Sequence, residues 1–232
     1  MPEAAKEESK AMKKFDFYEF AGVLCPGAVV VFGLAKIYPT LAPLISKQEG
    51  ASLGDLGFFV ILSYVAGHLV QAFGNIIEKL WWFCWGGLPS NWLRSKRERL
   101  LSDDQKAHLK VTFEKLSGTH IKPIGDLTRR SWFNITRQMY AIVSHAGRAG
   151  RIDIFNGNYG MFRGIAAAMV VLIVASTVET GWHHPQRYAF LGSALLLALL
   201  RMHRFGVHYA RELFVQFLAT EKDDKPTVSA SE

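Results

Sequence analysis

The sequence has only two cysteines, no internal repeat and none of the alternating apolar–polar runs that are typical of β-strands. Cys25 and Cys84 do not imply a disulfide framework, and both lie in or beside apolar stretches, where a thiol is usually a buried apolar group. The chain also lacks a phosphate-binding glycine loop, an HExxH motif and a supported Ser–His–Asp combination. We therefore expect no cofactor and no metal site, and no motif assigns an enzyme class.

Four long apolar stretches are the strongest positive feature. About 20 helical residues are needed to cross a hydrocarbon core of about 30 Å. The stretches predict transmembrane helices over residues 17–38, 56–77, 161–178 and 186–202. The predicted fold class is therefore all-α: an integral membrane protein with four transmembrane helices, two cytosolic helices between spans 2 and 3, and a C-terminal amphipathic helix.

The spans divide the chain into six segments. These are a cytosolic N-terminal segment (1–16), a first transmembrane hairpin (17–88), a basic cytosolic helical segment (89–160), a second transmembrane hairpin (161–202), a cytosolic tail helix (203–220) and a disordered tail (221–232). Three tryptophans after span 2 suit a headgroup belt: Trp81, Trp82 and Trp85.

The basic cytosolic segment shows two helical patterns. Ser102 to Gln105 resembles a capping box, and Gly118 would end the helix that follows it. A second amphipathic helix is expected from about Asp126 to about Ala146. Four glycines then precede span 3, and either a flexible hinge or a helix descending from the membrane is compatible with them: Gly147, Gly150, Gly157 and Gly160.

Positive charge is unevenly distributed around the spans. The net charge is +7, and the segment from Pro89 to Met161 alone has thirteen Lys or Arg against six Asp or Glu. Of all 27 Lys and Arg, only Lys36, Lys47 and Arg187 fall at or beyond the opposite ends of the spans. Because positive residues accumulate in cytoplasmic loops, both termini and the central segment are predicted to be cytoplasmic.

Span 2 carries a line of polar residues at membrane depth, which we call the polar seam. Spacings of 4, 3, 4 and 3 place its members on one helix face: Tyr64, His68, Gln71, Asn75 and Glu78. Polar groups at this depth usually face a bundle interior or a wet cavity. The seam is either a helix-packing contact, with Gly67 and Gly74 beside it, or the lining of a pore or cleft. We expect His68 to bond a residue on another span or protomer. A catalytic or metal site is less favoured, because His68 has no second ligand at a suitable spacing.

The stretch from Arg201 to His208 reads RMHRFGVH. Its Arg and His are separated by six residues, which resembles the active-site spacing of HEPN-type ribonucleases. In such an enzyme the His would act as general acid/base, and the Arg would stabilise phosphate charge. The residue after Arg201 is Met, whereas that family favours a polar residue there. A juxtamembrane anchor is the alternative interpretation.

The overall layout resembles small multi-span membrane effectors of bacterial anti-phage defence, of the CRISPR-associated and cyclic-nucleotide-signalling types. The likeness lies in a few spans, a basic cytosolic part and the tail RMHRFGVHYARELFVQFLAT at residues 201–220. It implies a bacterial inner (plasma) membrane location and membrane permeabilisation on activation.

Three functional hypotheses follow. The first is a non-enzymatic homo-oligomer that forms a pore or perturbs the membrane, since one four-helix protomer is too narrow for a water path. The second is a membrane-tethered HEPN-like ribonuclease or nucleic-acid-processing protein using Arg201 and His208. The third is a structural or adaptor membrane subunit that docks a soluble partner. The basic segment (89–160) also suits anionic lipid headgroups or an anionic ligand such as a nucleotide or RNA.

Overall fold

The computed structural model describes residues 19–44, 52–95 and 100–223, and these ranges contain helices and no strand. The predicted N-terminal segment (1–16) lies outside the described residues. A π-helical turn, Glu19–Leu24, leads into the first α-helix. The six α-helices are α1 (Cys25–Ile37), α2 (Leu53–Cys84), α3 (Asp103–Ser117), α4 (Arg129–His145), α5 (Gly150–Thr180) and α6 (Pro185–Asp223). Short 3₁₀ turns lie at Pro39–Leu44, Pro89–Arg94 and Ile124–Asp126.

Four of these helical stretches are long and apolar enough to cross a membrane. They are Phe20–Ile37 and the stretches that contain α2, α5 and α6. Large apolar side chains on them are exposed, among them Leu69, Val178 and Phe190. Apolar surface in water is unfavourable by about 25 cal/mol per Å², whereas lipid tails accommodate it. The predicted all-α, four-span fold is confirmed, and the chain is an integral membrane protein.

The chain divides into two compact units. The apolar unit contains the described residues up to Trp81 together with Gly157–Arg204, and the basic unit contains Trp82–Asn156 together with the described residues from Phe205 onward. The core of the apolar unit is aliphatic and includes Val30, Val70, Ala167, Ala168 and Leu172. The core of the basic unit is rich in aromatic residues and includes Phe113, Trp132, Phe214 and Phe217.

Neighbouring helices of the apolar unit run in alternating directions. At one end, the Tyr38 hydroxyl donates to the Ala175 carbonyl at 3.2 Å. At the other end, Trp81 Nε1 donates to His203 Nδ1 at 3.3 Å, and Gln71 on α2 bonds the backbone at Gly22. One end of the apolar unit therefore holds the start of α1, the end of α2, the start of the apolar part of α5 and the end of the apolar part of α6.

The helices of the basic unit begin and end at the signals that the sequence contains. Ser102 and Gln105 form the predicted capping box, with reciprocal bonds of 3.2 and 2.9 Å. Gly118 adopts the left-handed conformation that ends α3. The second helix, α4, begins after the N-cap Thr128 rather than near Asp126, because a 3₁₀ turn comes first. Its apolar face is buried as expected, around Trp132, Met139 and Val143.

The predicted tail helix is not a separate element. Residues 203–220 continue α6 without a break, since no proline interrupts the chain and Gly206 is buried inside the helix. Its apolar side, including Leu213 and Phe217, packs on α3 and α4 in the core of the basic unit. The predicted amphipathic tail helix therefore docks on α3 and α4.

The four glycines before span 3 lie after the end of α4 and in α5. Gly147 has φ of +72° and ends the preceding helix, whereas α5 begins at Gly150 and passes through Gly157 and Gly160. A glycine inside a helix costs only about 1 kcal/mol, and burial of Gly157 and Gly160 compensates for this. The backbone is thus helical through Gly157 and Gly160.

Three smaller expectations were wrong. Trp82 is 2% exposed and packs on Trp92, so it does not belong to a headgroup belt. Cys84 is exposed rather than buried. Glu221 was expected in the disordered tail (221–232), but it lies in the last turn of α6 and accepts a hydrogen bond from the Thr112 hydroxyl at 2.5 Å. Residues 224–232 lie outside the described residues.

Candidate functional site

Two members of the polar seam, Gln71 and Glu78, meet Arg163 of α5. Arg163 Nη1 lies 2.6 Å from Glu78 Oε2. Arg163 Nε and Nη2 donate to Gln71 Oε1 at 3.2 and 2.9 Å. We call these three residues the polar clamp. The two charged side chains are each 18% exposed, so removing one partner would cost less than the roughly 3–5 kcal/mol typical of a fully buried pair.

The amide nitrogen of Gln71 faces two backbone carbonyls. It donates to Gly160 at 2.9 Å and to Gly22. Arg163 can only donate, and a carbonyl can only accept, so the Gln71 amide has a single consistent orientation. Gln71 therefore joins the π-helical turn before α1, its own helix α2, and α5 at one point.

Pro26 explains why the Gly22 carbonyl needs a side-chain partner. In a regular helix that carbonyl would accept from the N–H of residue 26, but proline has none. An unpaired backbone carbonyl at membrane depth is strongly unfavourable, because no water replaces the missing bond. The Gln71 side chain supplies the absent donor, and the helix changes from π to α geometry at this place.

Glycines allow the three helices to come this close. A Cβ on Gly67 would overlap the Val23 carbonyl. A Cβ on Gly164 would lie 2.7 Å from Gln71 Nε2, and one on Gly74 would lie 3.2 Å from Arg163 Cγ. Larger residues at Gly67 or Gly164 would therefore displace α1 or the clamp itself. The close approach expected at Gly67 and Gly74 is present.

The remaining seam members face outward. Tyr64, His68 and Asn75 are exposed on α2, and we call them the exposed stripe. The His68 ring packs edge-on against Tyr64, with centroids 4.7 Å apart. Within the described part of the chain, His68 has no hydrogen bond to another span, so the partner expected for it would have to come from another protomer. The predicted single seam is thus two features, an internal clamp and an external stripe.

Arg163 is the member of the site that sequence reasoning missed. It lies near the start of the third predicted span (161–178), inside the apolar run that becomes α5, and the predicted polar seam did not include it. The signal was present, because a lone Arg within a span needs an acidic or polar partner on a neighbouring helix. Gln71 and Glu78 lie seven residues apart on one face of span 2 and meet that requirement.

The HEPN-like pair does not come together as a site in any single unit. The Arg201 guanidinium lies 5.4 Å from the ring centroid of Phe162 in the apolar unit. His208 stacks on Phe155 in the basic unit, with centroids 5.4 Å apart. Each residue therefore has an aromatic contact of its own, and the ribonuclease role of the pair stays a prediction.

These features define a class: an integral membrane protein with four helical spans and an additional helical, basic unit. Among the described residues, no group of three or more His, Cys, Asp or Glu is arranged to hold a metal ion. No protein-family model, curated protein or solved structure matches the chain. Function therefore has to be derived from the polar clamp and the exposed stripe.

Proposed function

We propose that the protein is a non-enzymatic homo-oligomer whose copies meet through the exposed stripe of α2, and that the assembly perforates or perturbs the membrane. The observation that carries this proposal is the outward position of Tyr64, His68 and Asn75 on a membrane-spanning helix. The architectural resemblance to anti-phage effectors fits the same role.

The exposed stripe is unfavourable in a single copy. His68 lies nine residues before Ile77, the last residue of the predicted span, which is about 13 Å along the helix. An imidazole or carboxamide facing lipid tails loses its bonds to water without replacement, which costs roughly 2–7 kcal/mol per group. Bonds between copies would remove that penalty, so the stripe favours association.

Small residues beside the stripe leave room for a second helix. Gly57 has no atom within 4 Å of the place where a Cβ would stand. Ala72 is also exposed and lies on the same side of α2 as His68. Because small residues let helix backbones approach closely in lipid, a neighbouring copy can pack along this line.

A water path would have to run between copies rather than through one. Ala167, Ala168 and Leu172 close the interior of the apolar unit, and Gln71 and Glu78 are engaged by Arg163. Of the predicted polar seam, the groups left to line a path are those of the exposed stripe. Positive charge at the end where α2 and α6 leave the bundle supports a cytoplasmic position for that end.

Disulfide cross-linking tests the proposed contact. Ile61 and Leu197 are each 62% exposed, but Ile61 lies beside the stripe on α2 and Leu197 lies on α6. In a chain with Cys25 and Cys84 replaced by Ser, we expect Ile61→Cys and Ala72→Cys to form disulfide-linked dimers in membranes. Leu197→Cys is the matched control and should remain monomeric.

Two outcomes would contradict the proposal. Equal cross-linking at Ile61 and Leu197 would indicate random collision, and its absence at both stripe positions would exclude this contact. The perforating activity has a separate test: Asn75→Leu should lower ion leak through proteoliposomes without lowering insertion. If ion leak is unchanged in Asn75→Leu while cross-linking is intact, the proposed oligomer stands and the proposed water path along the exposed stripe is refuted.

A further inference from the structure

We propose that the basic unit has a binding surface for anionic phospholipid headgroups, formed by Arg129, Arg130 and Arg137 of α4 together with the exposed aromatic residues Phe83, Trp85 and Phe133. This surface is independent of the exposed stripe on α2 and of the proposed perforating activity. All its members belong to the basic unit.

The three arginines share one side of α4. Positions 129, 130, 133 and 137 recur at helical spacing, so Phe133 stands among the three guanidinium groups. Phe133 is 53% exposed, and the Arg137 guanidinium lies 5.9 Å from its ring centroid. An exposed aromatic ring between unpaired cations is typical of a surface that binds at a headgroup boundary, because the ring and the charges both find partners there.

These arginines differ from the lysines of α3. Among the described residues, Arg129, Arg130 and Arg137 form no ion pair with a carboxylate. The lysines of α3 do: Lys106 pairs with Asp103, Lys110 with Glu114 and Lys115 with Glu221. Positive charge is therefore neutralised internally on α3 and left for an external anion on α4.

Phe83 and Trp85 of this surface lie where the membrane-spanning helix α2 ends. Phe83 is 86% exposed and Trp85 is 51% exposed, at the point where α2 ends. Two residues later, the Arg129 guanidinium packs against Gly87, where a Cβ would lie 2.8 Å from its Nη2. Trp132 Nε1 also donates to the Ser90 carbonyl at 2.7 Å, which fixes α4 to the turn that follows α2. Exposed Trp and Phe at the end of a span belong at headgroup level, so Arg129 lies within reach of lipid phosphate.

Lipid is favoured over the other anions considered for the basic segment because of this continuity with a span. Arginine binds phosphate with its planar fork of donors, and each arginine near an anionic leaflet favours that lipid by up to about fivefold. Three arginines that share the surface with aromatic anchors predict local enrichment of anionic lipid by at least about threefold over a zwitterionic lipid.

The test uses the exposed thiol of Cys84, between Phe83 and Trp85. The full chain with Cys25→Ser is labelled at Cys84 with a small fluorophore and placed in phosphatidylcholine bilayers containing a minor fraction of phosphatidylglycerol. A nitroxide quencher is carried on one lipid or the other at equal mole fraction. We expect a nitroxide on phosphatidylglycerol to quench about threefold more effectively than a nitroxide on phosphatidylcholine. The difference should shrink in about 1 M salt, where the Debye length falls to about 3 Å.

The variants separate this surface from general positive charge. The triple substitution Arg129→Gln, Arg130→Gln, Arg137→Gln should remove the preference, while Lys106→Gln, Lys110→Gln, Lys115→Gln changes the net charge equally and should keep it. Because Arg129 packs on Gly87, the double variant Arg130→Gln, Arg137→Gln is the test if the triple one misfolds, and it should at least halve the preference.

Equal loss in the α3 control, or no preference in the parent protein, overturns the proposal. Binding of single-stranded RNA that depends on the α4 arginines, without lipid preference, assigns the surface to nucleic acid instead and overturns it too.

Discussion

The Gln71 amide should compensate for the N–H that Pro26 lacks, and a double-mutant cycle can measure this. Gln71→Leu removes the donor to Gly22 and Gly160 and the acceptor for Arg163. Interhelical bonds in membranes contribute about 0.6 kcal/mol each, which gives about 2 kcal/mol for this residue. The orphaned Gly22 carbonyl adds about 1 kcal/mol or more, so we expect a total loss of about 3 kcal/mol.

Pro26→Ala restores an N–H that can bond the Gly22 carbonyl. In that background Gln71→Leu should therefore lose only about 2 kcal/mol, a coupling of about 1 kcal/mol. The measurement is reversible unfolding in mixed micelles with increasing dodecyl sulfate, followed by circular dichroism. Gln138→Leu, at an exposed site on α4, is the control and should change stability by less than about 0.5 kcal/mol.

Additivity would refute this reasoning. If Gln71→Leu has the same effect in the parent chain and in the Pro26→Ala background, within about 0.5 kcal/mol, the amide does not replace the missing donor. Gln71→Glu provides a second check on the orientation of the amide. It keeps the partner for Arg163 but directs an acceptor at the two carbonyls, so it should destabilise the chain by at least as much as Gln71→Leu.

Four further predictions concern other parts of the molecule. Glu78→Leu should lower stability more than Asn75→Leu, because only Glu78 pairs with Arg163; equal losses in the same micelle assay would contradict this. His68→Leu should weaken assembly, whereas His68→Gln, which keeps a donor and an acceptor, should preserve it; normal assembly of His68→Leu would make the residue simple packing. Reporter fusions after Glu49 and His184 should behave as external and one at Gly118 as internal, and an external Gly118 fusion would refute the orientation. The backbone N–H of Ile121 donates to Glu114 at 2.9 Å and, with Lys110, holds the pKa of Glu114 below its ordinary value. The stabilising contribution of Glu114 is present above its unfolded pKa of about 4.3 and is lost as pH falls through the lower folded value. Hydrogen exchange around Ile121 should therefore rise at that low pH in the parent chain but change less in Glu114→Gln.

Local signals in the sequence were sufficient for the helices and insufficient for their partners. The Ser102 capping box and the Gly118 stop act through neighbouring residues, so they could be located from the sequence alone. The Gly22–Gln71 and Arg163–Glu78 contacts join residues 49 and 85 positions apart, and no local rule selects such pairs. Continuity of α5 and α6 was also hidden, because burial of Gly157 and Gly206 outweighs their weak helix propensity.

The clamp and the exposed stripe are mechanically related because they lie on the same helix. Gln71 and Glu78 are seven residues apart, so both point to nearly the same side of α2, and their joint contact with Arg163 fixes the rotation of α2 about its own axis. Fixing that rotation also fixes where His68 and Asn75 point, which is outward, because they stand three or four residues from the clamp positions. Polar residues that a free helix could turn inward are thereby held toward the lipid. The internal ion pair thus maintains an external surface that is unfavourable in one copy, and this is the physical basis for the proposed association through α2.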